Sequence, residues 1–201
     1  MYIVGLTGGI ASGKSTVLTL FNNLDIDTFC ADKTSKDIVM PRTTALNKII
    51  NRYSNDILLN NQTLNRRALK TIIFNDVKEK KWLENLIHPL VKDQLYKYAQ
   101  AATSPYCILD IPLLNKHVLL KYQFINKVIT LETNSDLQIK RLIKRDKITE
   151  SLAKKIISSQ ATNEERREIS DFNIINNQEN SAQLTQKVEE IHQQLLKMID
   201  T

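Results

Sequence analysis

The sequence predicts a three-layer α/β fold, a five-stranded parallel sheet with helical crossovers, an all-helical insertion and a short helical lid. Three observations lead there. Short apolar runs suited to buried parallel strands recur along the chain, with helical patterns between them. The first run leads straight into a glycine-rich turn and a helix. Between the second and third, residues 41–103 carry apolar residues at three- and four-residue spacing with no further strand signal. That block is too long for a simple crossover and reads as an inserted subdomain.

Tyr2-Ile3-Val4-Gly5-Leu6 is the first strand. Gly8-Gly9-Ile10-Ala11-Ser12-Gly13-Lys14-Ser15-Thr16 follows and fits G-x-x-x-x-G-K-[ST], the P-loop of nucleotide-binding proteins. The spacing lets a strand turn into a helix while backbone N–H groups stay pointed at a phosphate, with the positive end of the helix dipole behind them. All four glycines of the chain, Gly5, Gly8, Gly9 and Gly13, fall within this stretch, and other turns are made with Asn, Asp, Ser and Pro. Lys14 would reach the β/γ-phosphates and the Ser15 hydroxyl would ligate Mg²⁺. Gly8, Gly9, Ala11, Ser12, Gly13 and Thr16 complete the cradle.

The helix over 16–24 buries one face through Val17, Leu18, Leu20, Phe21 and Leu24. A strand over 27–31 brings Asp32 to its carboxyl end, where open α/β sheets bind ligands. Asp is equally a favoured N-cap for the helix expected over 33–40, and position alone does not choose. In the insertion, helical patterns cover 43–53, 65–74 and 76–102. Pro89 requires a kink or a new helix start, with His88 just before it. Arg66 and Arg67 are candidate anion contacts there.

The strand over 105–110 ends in Asp110. Beside a P-loop, that is the place of the magnesium-associated acid, whereas without one it would read as a cap. Residues 126–132 form the fourth strand. The helix over 135–146 has a basic face on which Arg141 and Arg145, four apart, project together. Phosphoryl transfer needs mobile positive charge over the γ-phosphate and exclusion of water. A lid over 135–165, with a second helix over 151–159, would supply both. A last strand over 171–177 and an amphipathic helix over 184–199 close the chain.

Composition narrows the function classes. The 201 residues suffice for one α/β domain with a modest insertion. Lys and Arg number 28 against 22 Asp and Glu, a net charge of +6 that favours polyanionic ligands. The basic residues are scattered over helical stretches, as on solvated faces rather than a nucleic-acid stripe. Two cysteines, Cys30 and Cys107, are too few for a disulfide framework or zinc site and are expected as buried thiols in a reducing compartment. No apolar run approaches a membrane span, and the first strand starts too early to leave room for a signal peptide. A soluble cytoplasmic protein is expected.

The motifs together resemble the dephospho-CoA kinase family over nearly the whole chain. The resemblance rests on Gly5 through Thr16, on Ala31-Asp32, on His88-Pro89 and on Leu109-Asp110-Ile111-Pro112-Leu113-Leu114. It continues with Gln138, Arg141, Arg145, Gln160, and Ser170-Asp171-Phe172 with Asn176-Asn177. The P-loop alone names a superfamily; the Asp-Ile-Pro-Leu-Leu and His-Pro elements at these separations are far more specific. The resemblance implies ATP-dependent phosphorylation of the ribose 3′-hydroxyl of dephospho-CoA, the last step of coenzyme A biosynthesis. It implies one P-loop kinase domain over 1–201, a CoA-binding insertion over 33–102 and the lid, with ATP, Mg²⁺ and dephospho-CoA as ligands; a monomer is expected, but the sequence does not settle the oligomeric state.

By the same resemblance, Asp32 orients the 3′-hydroxyl and accepts its proton, and Lys14 and Arg141 act on the phosphates. Arg145 and the Asn176 region flank ATP. Asp32, His88, Pro112 and Leu113 lie on the acceptor side, and Ser15 and Asp110 on the metal side. Three positions depart from the family pattern: Ala11 stands where Gly is common, Cys30 where an acid is frequent, and Asn115 where an aromatic and an acid are usual. A nucleoside or nucleotide monophosphate kinase shares the loop, insertion and lid, but the length of the insertion and the His-Pro element argue against it. A GTPase-like switch would need DxxG and NKxD elements, and neither is present. A nucleic-acid binder is supported by the net charge alone.

Overall fold

A strand buried on both faces belongs in the middle of a sheet, and β1 (Tyr2–Gly8) takes that place. The computed structural model describes residues 1–177 and 181–199. They form two compact units, one of Met1–Cys30 with the chain from Tyr98 onward, the other Ala31–Lys97.

In the first unit, β1 leads through the glycine-rich loop into α1 (Lys14–Asn22) and then β2 (Asp27–Cys30). Helices α2 (Ala31–Asp37), α3 (Thr44–Tyr53), α4 (Arg66–Asn75) and α5 (Val77–Ala101) intervene before β3 (Tyr106–Asp110). Then come α6 (Lys116–Leu119), β4 (Lys127–Glu132), α7 (Ser135–Asp146), α8 (Glu150–Ser158), α9 (Asn163–Arg167), β5 (Phe172–Ile175) and α10 (Ser181–Ile199). The strands are all parallel in the order β2-β3-β1-β4-β5. One face packs Val4, Leu6, Tyr106, Ile108, Ile129 and Leu131 against Val17 and Phe21 of α1 and Val188, Ile191 and Leu195 of α10. Ile3, Cys107, Leu109 and Val128 alternate with them and are equally buried, so both faces are covered and the unit has three layers.

The second unit has its own core. Ala45, Leu46 and Ile49 of α3 bury against Ile57, Leu64 and Leu69, with Trp82, Leu83, Leu86 and Ile87 of α5 packed alongside. Thr43 and Asn65 cap α3 and α4 through side-chain oxygens. Arg52 donates Nε and Nη2 to the two carboxylate oxygens of Glu79, both at 2.6 Å, and its guanidinium lies 4.6 Å from the Trp82 ring centroid. The Tyr53 hydroxyl donates to the same carboxylate at 2.5 Å. These bonds tie α3 to the start of α5.

Several expectations are corrected. Pro89 starts no new helix: α5 runs through it, and Asn85 and Pro89 are both exposed, so water can take the place of the missing donor. The helix expected over 33–40 is α2, which begins at Ala31 and ends at Asp37. Asp32 therefore lies in its first turn and is no N-cap. Leu58 and Leu64 form an antiparallel bridge inside the otherwise helical insertion. Cys107 is fully buried as expected, its thiol pushed up to about 12 chiefly by desolvation. Cys30 is only partly buried, because β2 is an edge strand.

Candidate active site

The site begins where β1 ends. Gly13 adopts φ 99° and opens α1 without any side-chain cap, and no acid occupies the first turn of that helix. A Cβ at Gly13 would meet the amide of Asn176, so both conformation and space require glycine there. By contrast α3, α4, α6, α7, α8 and α9 each open under a Thr or Asn side chain. No side chain caps the start of α1, and the positive end of its dipole favours an anion there, as a phosphate site needs. Lys14 Nζ donates to the Gly8 carbonyl at 3.1 Å, which folds its ammonium back over the loop.

The loop is braced from several sides. Asn176 is buried, donates to the Ser12 carbonyl at 2.7 Å, and accepts from Thr133 at its own carbonyl. Its side chain is therefore a buttress of the loop. Arg141 reaches the same place, with Nη1 3.4 Å from the Ala11 carbonyl and 3.5 Å from that of Asn176. Arg145 does not join it. Asp146, the next residue, takes the Arg145 guanidinium by two bonds of 2.7 and 2.9 Å, and the expected pairing with Arg141 is not formed. The pair holds the Asp146 carboxyl below its ordinary range, chiefly through the Arg145 hydrogen bond.

Asp110 stands at the carboxyl end of β3, level with Leu6 of β1 and Cys30 of β2. It is 7% exposed and accepts from the Cys30 thiol at 3.5 Å. The strand order places β1 and β3 side by side although they are not consecutive, which makes their carboxyl ends the switch point where such sheets bind ligands. Pro112 and Leu113 follow at that end. Leu113 is 60% exposed with φ 63°, an apolar side chain held out in a left-handed conformation. Asn115 accepts from Val118 N–H and caps α6, which accounts for an amide at that position.

In the other unit, Asp32 is exposed in the first turn of α2, two residues beyond the end of β2, and His88 is exposed midway along α5. Ser15 and Thr16 are exposed in the first turn of α1. The donor set offered by the Ser15 hydroxyl and the Asp110 carboxylate is all hard oxygen, which fits Mg²⁺. Ser12 Oγ, buried in the loop, has no hydrogen-bond partner among the described residues and adds a further oxygen.

Sequence reasoning missed the second layer of this site. Glu132, at the end of β4, is held bidentately by Arg167 and accepts from Asn173 at 2.6 Å. Arg166 is buried beside the loop, where desolvation lowers its pKa, and donates to Asn163 at 3.2 Å. The signal was present in the run Glu164-Glu165-Arg166-Arg167, where the capping box of Thr162 and Glu165 fixes a short helix that buries Arg166 and leaves the exposed Arg167 to pair with Glu132.

Comparison with known proteins meets this geometry. The dephospho-CoA kinase family profile matches residues 2–183. A dephospho-CoA kinase of Photobacterium profundum is 40% identical over 98% of this chain and 96% of its own length. The solved dephospho-CoA kinase of Campylobacter jejuni superposes with a TM-score of 0.72 at 29% identity, covering 97% of each chain. TT1252 from Thermus thermophilus, at 22% identity and a TM-score of 0.78, shares the fold over 98% of this chain and 97% of its own. With the phosphate loop, the strand-end acid and the all-parallel sheet in place, the chain belongs to the dephospho-CoA kinase family.

Proposed function

We propose that this chain transfers the γ-phosphoryl group of ATP to the ribose 3′-hydroxyl of dephospho-CoA, giving coenzyme A and ADP. The observation that carries the reading is the uncapped start of α1 behind Gly13 and Lys14, set at the carboxyl edge of the sheet beside Asp110. Lys14 and the loop N–H groups hold the β- and γ-phosphates, with Gly8, Gly9, Ala11, Ser12 and Thr16 shaping the cradle. Arg141 covers the transferring group from α7. Arg145 reaches the nucleotide only by releasing Asp146, and Asn176 acts on it by bracing the loop. Ser15 and Asp110 would hold Mg²⁺, which would neutralise developing charge on the nucleotide phosphates.

Asp32 is the base. The acceptor oxygen forms a bond to the γ-phosphorus as the bond to the ADP oxygen breaks, and the proton passes to the Asp32 carboxylate. A weak base suffices because in a loose transition state the proton leaves late. The helical insertion, with His88, and the exposed Pro112–Leu113 corner meet the acceptor, Leu113 offering the apolar contact. A cytoplasmic setting suits thiols kept reduced and a chain in which no helix among the described residues is long and apolar enough to cross a membrane.

The test is ADP release from Mg·ATP with dephospho-CoA, AMP, CMP, UMP, adenosine or no acceptor. Turnover with dephospho-CoA alone is expected. Turnover with a monophosphate would move the chain to the monophosphate kinases, and acceptor-independent hydrolysis alone would remove the role of Asp32.

A further inference from the structure

Ile10 is gripped on both polar atoms by side chains. Its N–H donates to Gln160 Oε1 at 2.8 Å, and its carbonyl accepts from Gln138 Nε2 at 2.7 Å. Gln138 is 6% exposed near the start of α7, and Gln160 lies two residues past the end of α8. Both ends of the α7–α8 hairpin therefore close on one residue of the glycine-rich loop. Gly9 makes room for this: a Cβ there would stand 2.5 Å from Gln138 Nε2.

The grip has a geometric consequence. A trans peptide points its C=O and N–H in opposite directions. With the Ile10 carbonyl held toward Gln138, the Ala11 N–H is turned to the opposite side. Likewise, the Ile10 N–H held toward Gln160 turns the Gly9 carbonyl away, where it accepts from Ser12 N–H at 3.2 Å. Ala11 sits at φ 56°, unfavourable for a residue with a side chain, and rotation of the Ile10–Ala11 peptide would relieve it. The Gln138 bond opposes that rotation.

We propose that Gln138 and Gln160 are positioning residues that latch the base of the lid hairpin onto Ile10, withdrawing Ile10 from phosphate binding and fixing the direction of the Ala11 N–H that a phosphate takes. This rests on the loop being the ATP phosphate site. The two glutamines then have opposite requirements. Gln138 must donate and Gln160 must accept, and glutamate, equal in size, can only accept.

The experiment is calorimetric titration of Mg·ATP into wild type, Gln138→Glu, Gln160→Glu and Gln138→Met, with thermal melts of each. The Arg166 guanidinium, 3.5 Å from the same Cβ position at Gly9, offsets the charge of a glutamate at 138. The expected order of affinity is wild type, then Gln160→Glu, with Gln138→Glu weaker by about tenfold or more, since a part-buried carbonyl loses its donor. Gln138→Met, which removes the donor without adding charge, should fall with Gln138→Glu. The Michaelis constant for the acceptor should not move. Equal affinities for the two glutamate variants, or wild-type affinity in Gln138→Met, would overturn the latch. Failure of wild type to bind Mg·ATP would instead overturn the phosphate-site reading itself.

Discussion

The phosphate loop and the helical insertion are held together in opposite ways. The loop has almost no apolar content of its own and keeps its shape through single hydrogen bonds from distant elements: Gln138, Gln160, Asn176 and Arg141 each reach a backbone atom between Ile10 and Ser12, or the carbonyl of Asn176 beside them. The insertion relies on an apolar cluster around Ile49 and Leu69 and on one knot of charge and rings, Arg52–Glu79–Tyr53–Trp82. A braced loop can present backbone donors to a ligand without rearranging. An apolar core tolerates variation so long as volume is kept. The difference suits the proposed roles, a fixed phosphate site for the loop and an adaptable acceptor-binding surface for the insertion.

The largest effect should come from the loop. Lys14→Ala is expected to leave the melting temperature near wild type and to lower kcat by roughly 10²- to 10³-fold, the usual loss of a transition-state charge contact. Wild-type turnover in steady-state assays would break the phosphate role. The mirror experiment is Ile49→Ala, which empties the insertion core at a residue with no exposed surface and should cost about 2–5 kcal/mol in denaturant unfolding. Mg·ATP affinity measured below that transition should be unchanged, and its loss would show that the two regions are not independent.

Arg141→Ala should weaken Mg·ATP by about tenfold, the scale of one charge-assisted contact, and more than Arg145→Ala, whose guanidinium is engaged by Asp146. Equal effects would place both arginines on the nucleotide. The smallest effect concerns pH. The Arg52 hydrogen bond, then that from Tyr53, lowers Glu79 from the ordinary 4.5 to about 2. Its stabilisation is therefore fully present above pH 4.5 and lost as pH falls toward 2. Glu79→Gln should flatten the acid limb of stability in that window and leave stability near neutrality less pH-sensitive than any change in the loop.

The sequence was most legible where structure is local. The Gly8–Ser15 spacing, the end of β3 at Asp110, the end of β2 to within one residue, and the helical periodicity of the insertion all depend on neighbours within a turn or two. The latch was not legible, because Gln138 and Gln160 meet Ile10 across 128 and 150 residues, and a glutamine on an apolar helix face carries no sign of its partner. The expected joint action of Arg141 and Arg145 followed helix geometry correctly but neglected Asp146, whose carboxylate competes at no cost in reach. Pro89 starts no new helix, since proline breaks a buried helix more readily than one whose freed carbonyl faces water.

The division between a phosphate-holding loop and a proton-accepting carboxylate is tested most directly at Asp32. Asp32→Asn keeps the size but cannot take a proton, so Mg·ATP affinity by calorimetry should match wild type while kcat with dephospho-CoA falls by roughly 10²- to 10⁴-fold. Unchanged kcat with unchanged affinity would contradict the account and leave Asp32 as an ordinary residue in the first turn of α2.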